Sequence, residues 1–221
     1  PTAFLGHFGA VAGVGNLIGL DQKRMHRAFG IAASQAAGLR RAFGTMTNPM
    51  HTAKAAANGF LSALLAEQGL TSSEDIFDGE CSVFHLFDFQ MRTGQLLDGL
   101  GRQFNILQNS FKPFACPAWR IPIIEGIIQL SCNHDLRPHD VSEIHVEVSP
   151  RALGLPNYSE PETGLQGTFS AEHAAAVALA ERAGGINQFT DEKVRDPALI
   201  ALRRKVKLSG NKSLKQWQAN V

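Results

Sequence analysis

Between residues 44 and 59 the chain reads GTMTNPMHTAKAAANG, and its polar side chains recur at helical spacing. His51, Lys54 and Asn58 stand three and four residues apart, which puts them on one face of a helix. Imidazole exchanges a proton near neutral pH, and a lysine cation holds an anion. Thr47 or Asn48 suits the N-cap and Pro49 the first helical position, where a missing N–H costs nothing. The first-turn N–H groups and the positive end of the helix dipole then favour an anion. Lys54 so near that end is unfavourable by up to about 1 kcal/mol, which a bound carboxylate would offset. The opposite stripe, Met50, Ala53, Ala57, Leu61 and Leu64, is the expected packed face. Spacing alone leaves a second reading open, in which Lys54 reaches to water and His51 caps a neighbouring loop.

A second candidate is Lys112 in FKPFACPAW, where prolines 113 and 117 impose an extended, rigid turn. Such a turn fixes a lysine over a cleft, or leaves it exposed on a loop. Cys116 has no histidine partner in sequence and reads as a small buried filler. His7 lies among small residues of the first helix and faces either a cleft or the core. His134 and His139 fall in the polar loop NHDLRPHD, His145 inside a strand, and His173 at a helix start. That scatter does not converge three or four ligands, so no metal site is expected. Phosphate-binding glycine loops, nucleophile elbows and dinucleotide fingerprints are missing from the sequence. Chemistry on a small anion without a cofactor is what the residues leave.

These residues must be positioned by two stretches of different texture. Up to about residue 100 the chain is rich in Ala, Gly and Leu at helical spacing. AFLGHFGAVAGVGNLIGL predicts a close-packed helix; Asp21 caps QKRMHRAFGIAASQAAG, with Gly38 at its end. The third helix closes near Gln68-Gly69, TSSEDIF is a capped turn, and SVFHLFDFQM is a further amphipathic helix. Beyond residue 102, QFNILQNSF alternates like a strand, IPIIEGIIQLSC suits a helix, and VSEIHVEVSP alternates most cleanly of all. GLQGTFS is a possible short strand, EHAAAVALAERAG a helix, and DPALIALRRKVKLSG a helix followed by a strand. The expected fold is mostly α with an α+β part. A helical domain spans 1–102, an α+β domain 103–209, and 210–221 forms a tail or returns to the helices.

Composition bounds the function. The 221 residues carry a formal net charge of +1 with scattered basic groups, which argues against nucleic acid as partner. The basic run RRKVKLSGNKSLK reads as solvated surface. Three cysteines without CxxC spacing point to a reducing compartment, and the expected location is cytoplasmic. Apolar runs stay short of the roughly 18 residues of a membrane span, and a signal peptide is not expected. The chain opens on PTAFLGHFG without an initiating Met and reads as a fragment or a processed chain.

The run from GIAASQAAGLRRAFGTMTNPMHTAKAAANG to LLAEQGLTSSEDIFDGE resembles the MmgE/PrpD family. NSFKPFACPAW is similar to that family's K-P-Y-P turn, RPHDVSEIHVEVSPRA to its later strand, and ETGLQGTFSAEHAAAVALAERAGG to the helix that follows. The resemblance covers nearly the whole chain but about half of the family pattern. It implies a large helical domain with a smaller α+β lid domain, in a homodimer. It also implies a lyase, a dehydratase or decarboxylase, that needs no cofactor. The substrate would be a small di- or tricarboxylate such as 2-methylcitrate or cis-aconitate. The alternatives are an epimerase of a dicarboxylate such as iminodisuccinate, and a non-catalytic member. By the same resemblance His51 and Lys112 are catalytic, while Thr47, Asn48 and Lys54 at the helix N-terminus are the expected substrate-binding residues. Lys54 stands where the family usually has arginine, and Asn48 where it has a lysine. The histidine expected in or just after the K-P turn finds Pro117, Arg120 or Ile121.

Overall fold

A computed structural model describes residues 2–86 and 98–221 of the chain. The fold is mostly helical with one three-stranded sheet among the described residues. It divides into two compact units, one holding the chain up to Ala42 and Thr47–Asn109, the other Phe43–Met46 and Ser110–Val221. No helix among the described residues is long and apolar enough to cross a membrane.

The first unit is built on α1 (Thr2–Leu17), α2 (Gln22–Ala33) and α3 (Thr47–Glu67), with a single turn α4 at Val83–Leu86. Helix α1 packs against both of the others. Asp21 caps α2 as expected, its carboxylate accepting from Arg24 N at 2.7 Å. The end of that helix differs from expectation: it stops at Ala33, with Ser34 as C-cap and Gly38 four residues beyond. Ser34 Oγ and Gln35 Nε2 donate to the carbonyls of Gly30 and Ile31, so the helix closes without a glycine. Gly38 serves a packing need, since a Cβ there would run into the Ala3 side chain. Phe8, Phe29, Phe77 and Phe84 form a chain of ring contacts beside this core, each centroid 5.0–6.3 Å from the next. The helix read at SVFHLFDFQM is present over Val83–Leu86, and the rest of that stretch lies outside the described residues.

The packed face of α3 is not the stripe of larger residues. Ala55, Gly59, Ser62, Ala63 and Ala66 are buried, whereas Met50 and Leu61 are 53% and 47% exposed. Closeness decides the face. A Cβ on Gly59 would lie 2.5 Å from Ala10 Cβ and from the His7 carbonyl, and one on Gly6 3.1 Å from Ala55 Cβ. Backbones that near admit only small side chains, so the large apolar ones are turned out.

In the second unit the sheet runs β2–β1–β3, from β1 (Ile144–Val148), β2 (Val206–Gly210) and β3 (Ala219–Asn220). β1 pairs β2 in parallel, Ile144 opposite Val206, and β3 antiparallel, Val148 opposite Ala219. Residues 219–220 thus belong to this sheet. Ile144, Val146 and Val148 are buried and His145 exposed, the alternation read from sequence. Glu147 accepts from the Asn211 and Asn220 amides, which ties β1 to the ends of both neighbours. The helices are α5 (Ile121–Asn133), α6 (Pro150–Leu153), α7 (Gly164–Thr168), α8 (Ala171–Glu181), α9 (Asp191–Arg195) and α10 (Pro197–Arg203). Helix α8 is enclosed on nearly every side, with Ala171, Ala174, Ala175, Ala176, Val177, Ala178 and Leu179 all in the core.

Two expected strands are absent. Residues 105–108 form a 3₁₀ turn, with Ile106 and Leu107 exposed, because alternation supplies no partner strand for the backbone groups. GLQGTFS holds α7, capped by Thr163 Oγ1, which accepts from Gln166 N at 3.3 Å. Gly164 N also donates to Asp191 Oδ1 at 2.7 Å, pinning the start of that turn.

Candidate functional site

Helix α3 begins at Thr47, so Thr47 is its first residue and Pro49 its third, two places later than the sequence suggested. Pro49 still falls in the first turn, where its missing N–H removes no intrahelical bond. Thr47 and Lys54 are exposed, and Asn48, His51 and Asn58 are half-buried. His51 and Asn58 continue the packed stripe of Ala55 and Gly59, whereas Lys54 leaves it toward solvent. The His51 ring lies 3.5 Å from where a Gly38 Cβ would stand, so a small residue there keeps room for the imidazole. Thr47, Asn48, His51 and Lys54 therefore share the first two turns of one helix. Lys112 belongs to the second unit, in the exposed part of the turn before Phe114.

Helix α1 adds a residue whose role its own sequence left open. His7 is 0% exposed, and Asn58 Nδ2 donates to its Nε2 at 3.3 Å. An amide nitrogen only donates, so Nε2 accepts and the ring proton sits on Nδ1. Nδ1 makes no hydrogen bond of good geometry, although the Phe4 and Ala3 carbonyls of its own helix are near enough to favour a proton. Burial, aided by the charge of Lys54, outweighs those carbonyls and holds the imidazole below its ordinary pKa. Asn58 is thereby fixed from α1, which no spacing within α3 could reveal.

In the second unit the K-P turn leads into Cys116 and Arg120. Cys116 is buried and its thiol is pushed up to about 11 by burial, against the opposing charges of Lys112 and Arg120. It is a protonated filler at neutral pH, as read from sequence. Arg120 is 1% exposed. Its Nη2 donates to Asn157 Oδ1 at 2.7 Å, to the Phe169 carbonyl at 3.2 Å and to the Pro156 carbonyl at 3.4 Å. Asn157 in turn donates to both oxygens of Glu172, at 3.1 and 3.0 Å, and accepts from Ala171 N at 2.9 Å. An arginine and a glutamate are thus joined through one amide at the start of α8. The other histidines named from the sequence lie elsewhere. His173 is buried between the Gln188 carbonyl, 2.9 Å from Nε2, and Arg203, whose Nη1 donates to Nδ1 at 3.3 Å. His134 is exposed, and His139 and His145 sit beside Asp140 and Glu143 at the surface. Among the described residues no group of three or more His, Cys, Asp or Glu side chains could hold a metal ion.

Comparison with known proteins gives this arrangement a family. The model of the MmgE/PrpD N-terminal domain matches residues 1–91, and that of the MmgE/PrpD C-terminal domain matches residues 114–220. The chain belongs to the MmgE/PrpD family. Among its relatives is a cis-aconitate decarboxylase of Aspergillus terreus, 27% identical over 232 residues, 95% of this chain and 47% of the relative. A cis-aconitate decarboxylase from Aspergillus terreus strain NIH 2624 is 26% identical with the same coverage. The cis-aconitate decarboxylase-like protein oryM of Aspergillus oryzae is 27% identical over 210 residues, 87% of this chain and 43% of that protein. The chain spans about half the length of the curated relatives it matches.

Proposed function

We propose that this MmgE/PrpD chain contributes to a cofactor-independent lyase, a dehydratase or decarboxylase, that acts on a small di- or tricarboxylate. The observation that carries the reading is the first two turns of α3, where a helix start, His51 and Lys54 lie together in a chain whose relatives include cis-aconitate decarboxylases. Cis-aconitate and 2-methylcitrate are the substrates to try first. Lys54 and the first-turn N–H groups near Thr47 and Asn48 hold one carboxylate, and Lys112 offers a cation from its own turn. Held in this way, a carboxylate stabilises the enolate-like charge that grows when the adjacent carbon loses a proton. His51 is the acid and base for that proton. In the cell the protein works as a cytoplasmic homodimer.

His51→Ala, assayed with cis-aconitate and 2-methylcitrate, is expected to lose at least about a hundredfold in turnover with the fold intact. Full turnover in that variant removes the assignment. One residue favours a second reading. Asn48 brings no positive charge where the family has lysine, which suits a member that binds polycarboxylates without turning them over. Binding without alkene or CO2 formation, in the unsubstituted protein, selects that reading. Uptake of deuterium from D2O without alkene selects an epimerase.

A further inference from the structure

The turn that carries Lys112 also carries hydrogen-bond donors that the fold leaves unused. Among the described residues, Arg120 Nε, Arg120 Nη1 and Trp119 Nε1 are buried without a hydrogen-bond partner. A buried donor without an acceptor keeps its desolvation cost uncompensated, and the cost is larger when the group is charged. Three such donors on adjacent residues are therefore unlike ordinary core. Both side chains also reach Phe169. Arg120 Nη2 donates to the Phe169 carbonyl at 3.2 Å, and the Trp119 ring centroid lies 6.5 Å from that of Phe169.

The anchoring explains why these donors stay free. Asn157 and the carbonyls of Pro156 and Phe169 all take Nη2, and Glu172, whose charge favours the guanidinium, hydrogen-bonds to Asn157 and leaves Nη1 and Nε without an acceptor. The planar fork is thus held at one nitrogen, with Nη1 and Nε left to donate elsewhere. Lys112 adds a second positive charge in the neighbourhood of Cys116, whose thiol both it and Arg120 influence. A carboxylate is the ligand that answers both features, because it accepts several N–H bonds and carries the opposite charge.

We propose that Arg120, with Trp119 beside it, is a carboxylate-binding residue for the small polycarboxylate that this chain takes. The inference rests on the polycarboxylate reading given above. It adds a cation from a position eight residues past Lys112. Arg120 is inaccessible at rest, so the half-buried Trp119 ring moves when the ligand enters, and its emission reports the event.

The test uses the full 221-residue chain with Trp217→Phe, which leaves Trp119 as the one tryptophan, and tricarballylate as an unreactive probe. Titration followed by calorimetry and by tryptophan emission is expected to give one saturable curve. Arg120→Met should abolish the emission change and weaken binding by about tenfold or more. Arg120→Lys keeps the charge but loses the fixed fork, and should weaken binding less. It also serves as the readout if the methionine variant does not fold. Unchanged affinity in a folded Arg120→Met or Arg120→Lys chain overturns the inference. Loss of affinity in Lys112→Met alone, with the Arg120 variants unaffected, overturns it and leaves the polycarboxylate reading standing. No binding of tricarballylate by the Trp217→Phe chain removes both.

Discussion

In the first unit, α1 and α3 meet through Gly6, Ala10, Ala55 and Gly59, while Met50, Phe60 and Leu61 stay largely exposed. In the second, α5 and α8 bury Ile123, Ile124 and Ile127 with a run of alanines, and the strands add Ile144, Val146 and Val148. One unit excludes water by bringing backbones together, the other by filling space with branched side chains. Their polar groups follow the same division. The first sets His7 and Asn58 in a narrow seam between two helices, with His51 beside Gly38 at its end. The second buries Arg120, His173 and Arg203 around the start of α8, with the half-buried Asn157 and Glu172 linking to Arg120 from far apart in sequence. Close packing positions a site by leaving side chains no room. A branched core positions one through long-range hydrogen bonds.

That contrast breaks most clearly where methyl groups are removed from the second unit. Ile124 is fully buried, and Ile124→Ala should lower stability by about 4 kcal/mol, measured by urea denaturation. A cost under about 1 kcal/mol would show that this core is loosely filled. The next largest effect is expected from acid. Burial, with Arg203 opposing a further positive charge, pulls His173 down to about 4, although the Gln188 carbonyl and Glu181 favour its proton. The unfolded chain then binds this proton more readily than the folded one. The stabilisation is complete above the ordinary histidine pKa of about 6.5 and falls as pH drops toward 4, by about 3 kcal/mol in all. His173→Gln should flatten stability against pH in that window, and an unchanged slope would assign the acid response elsewhere. The smallest effect is the converse of the first. Gly59→Ala adds one methyl group to the α1–α3 seam and should cost about 2 kcal/mol, whereas in an ordinary helix interior the same change stabilises. A more stable Gly59→Ala chain would show that the helices can separate freely.

Much of the local structure was legible in the residues. Asp21 before a helical run, Gly69 after one, and the alternation of Ile144, Val146 and Val148 are each short-range patterns, and each is present. The motif around His51 was also visible, because a helix start with residues three and four apart is a local arrangement. Two strands failed for the opposite reason. QFNILQNSF has the alternation but not the partner, and GLQGTFS was decided by Thr163 and Asp191, outside or far beyond the segment. The buried state of Arg120 had no local signal at all, since its acceptors lie 36 to 49 residues away.

By itself the sequence determined the long helices, the best strand, the family and the candidate residues on α3. These depend on neighbours along the chain, or on the order of motifs within it. Tertiary structure decided which face of α3 packs, because the distance between two backbones selects between small and large residues. It also decided which polar groups are satisfied. A buried hydrogen bond is a statement about two distant positions, and that is why Asn58 acquired His7 as a partner while Arg120 kept donors in reserve.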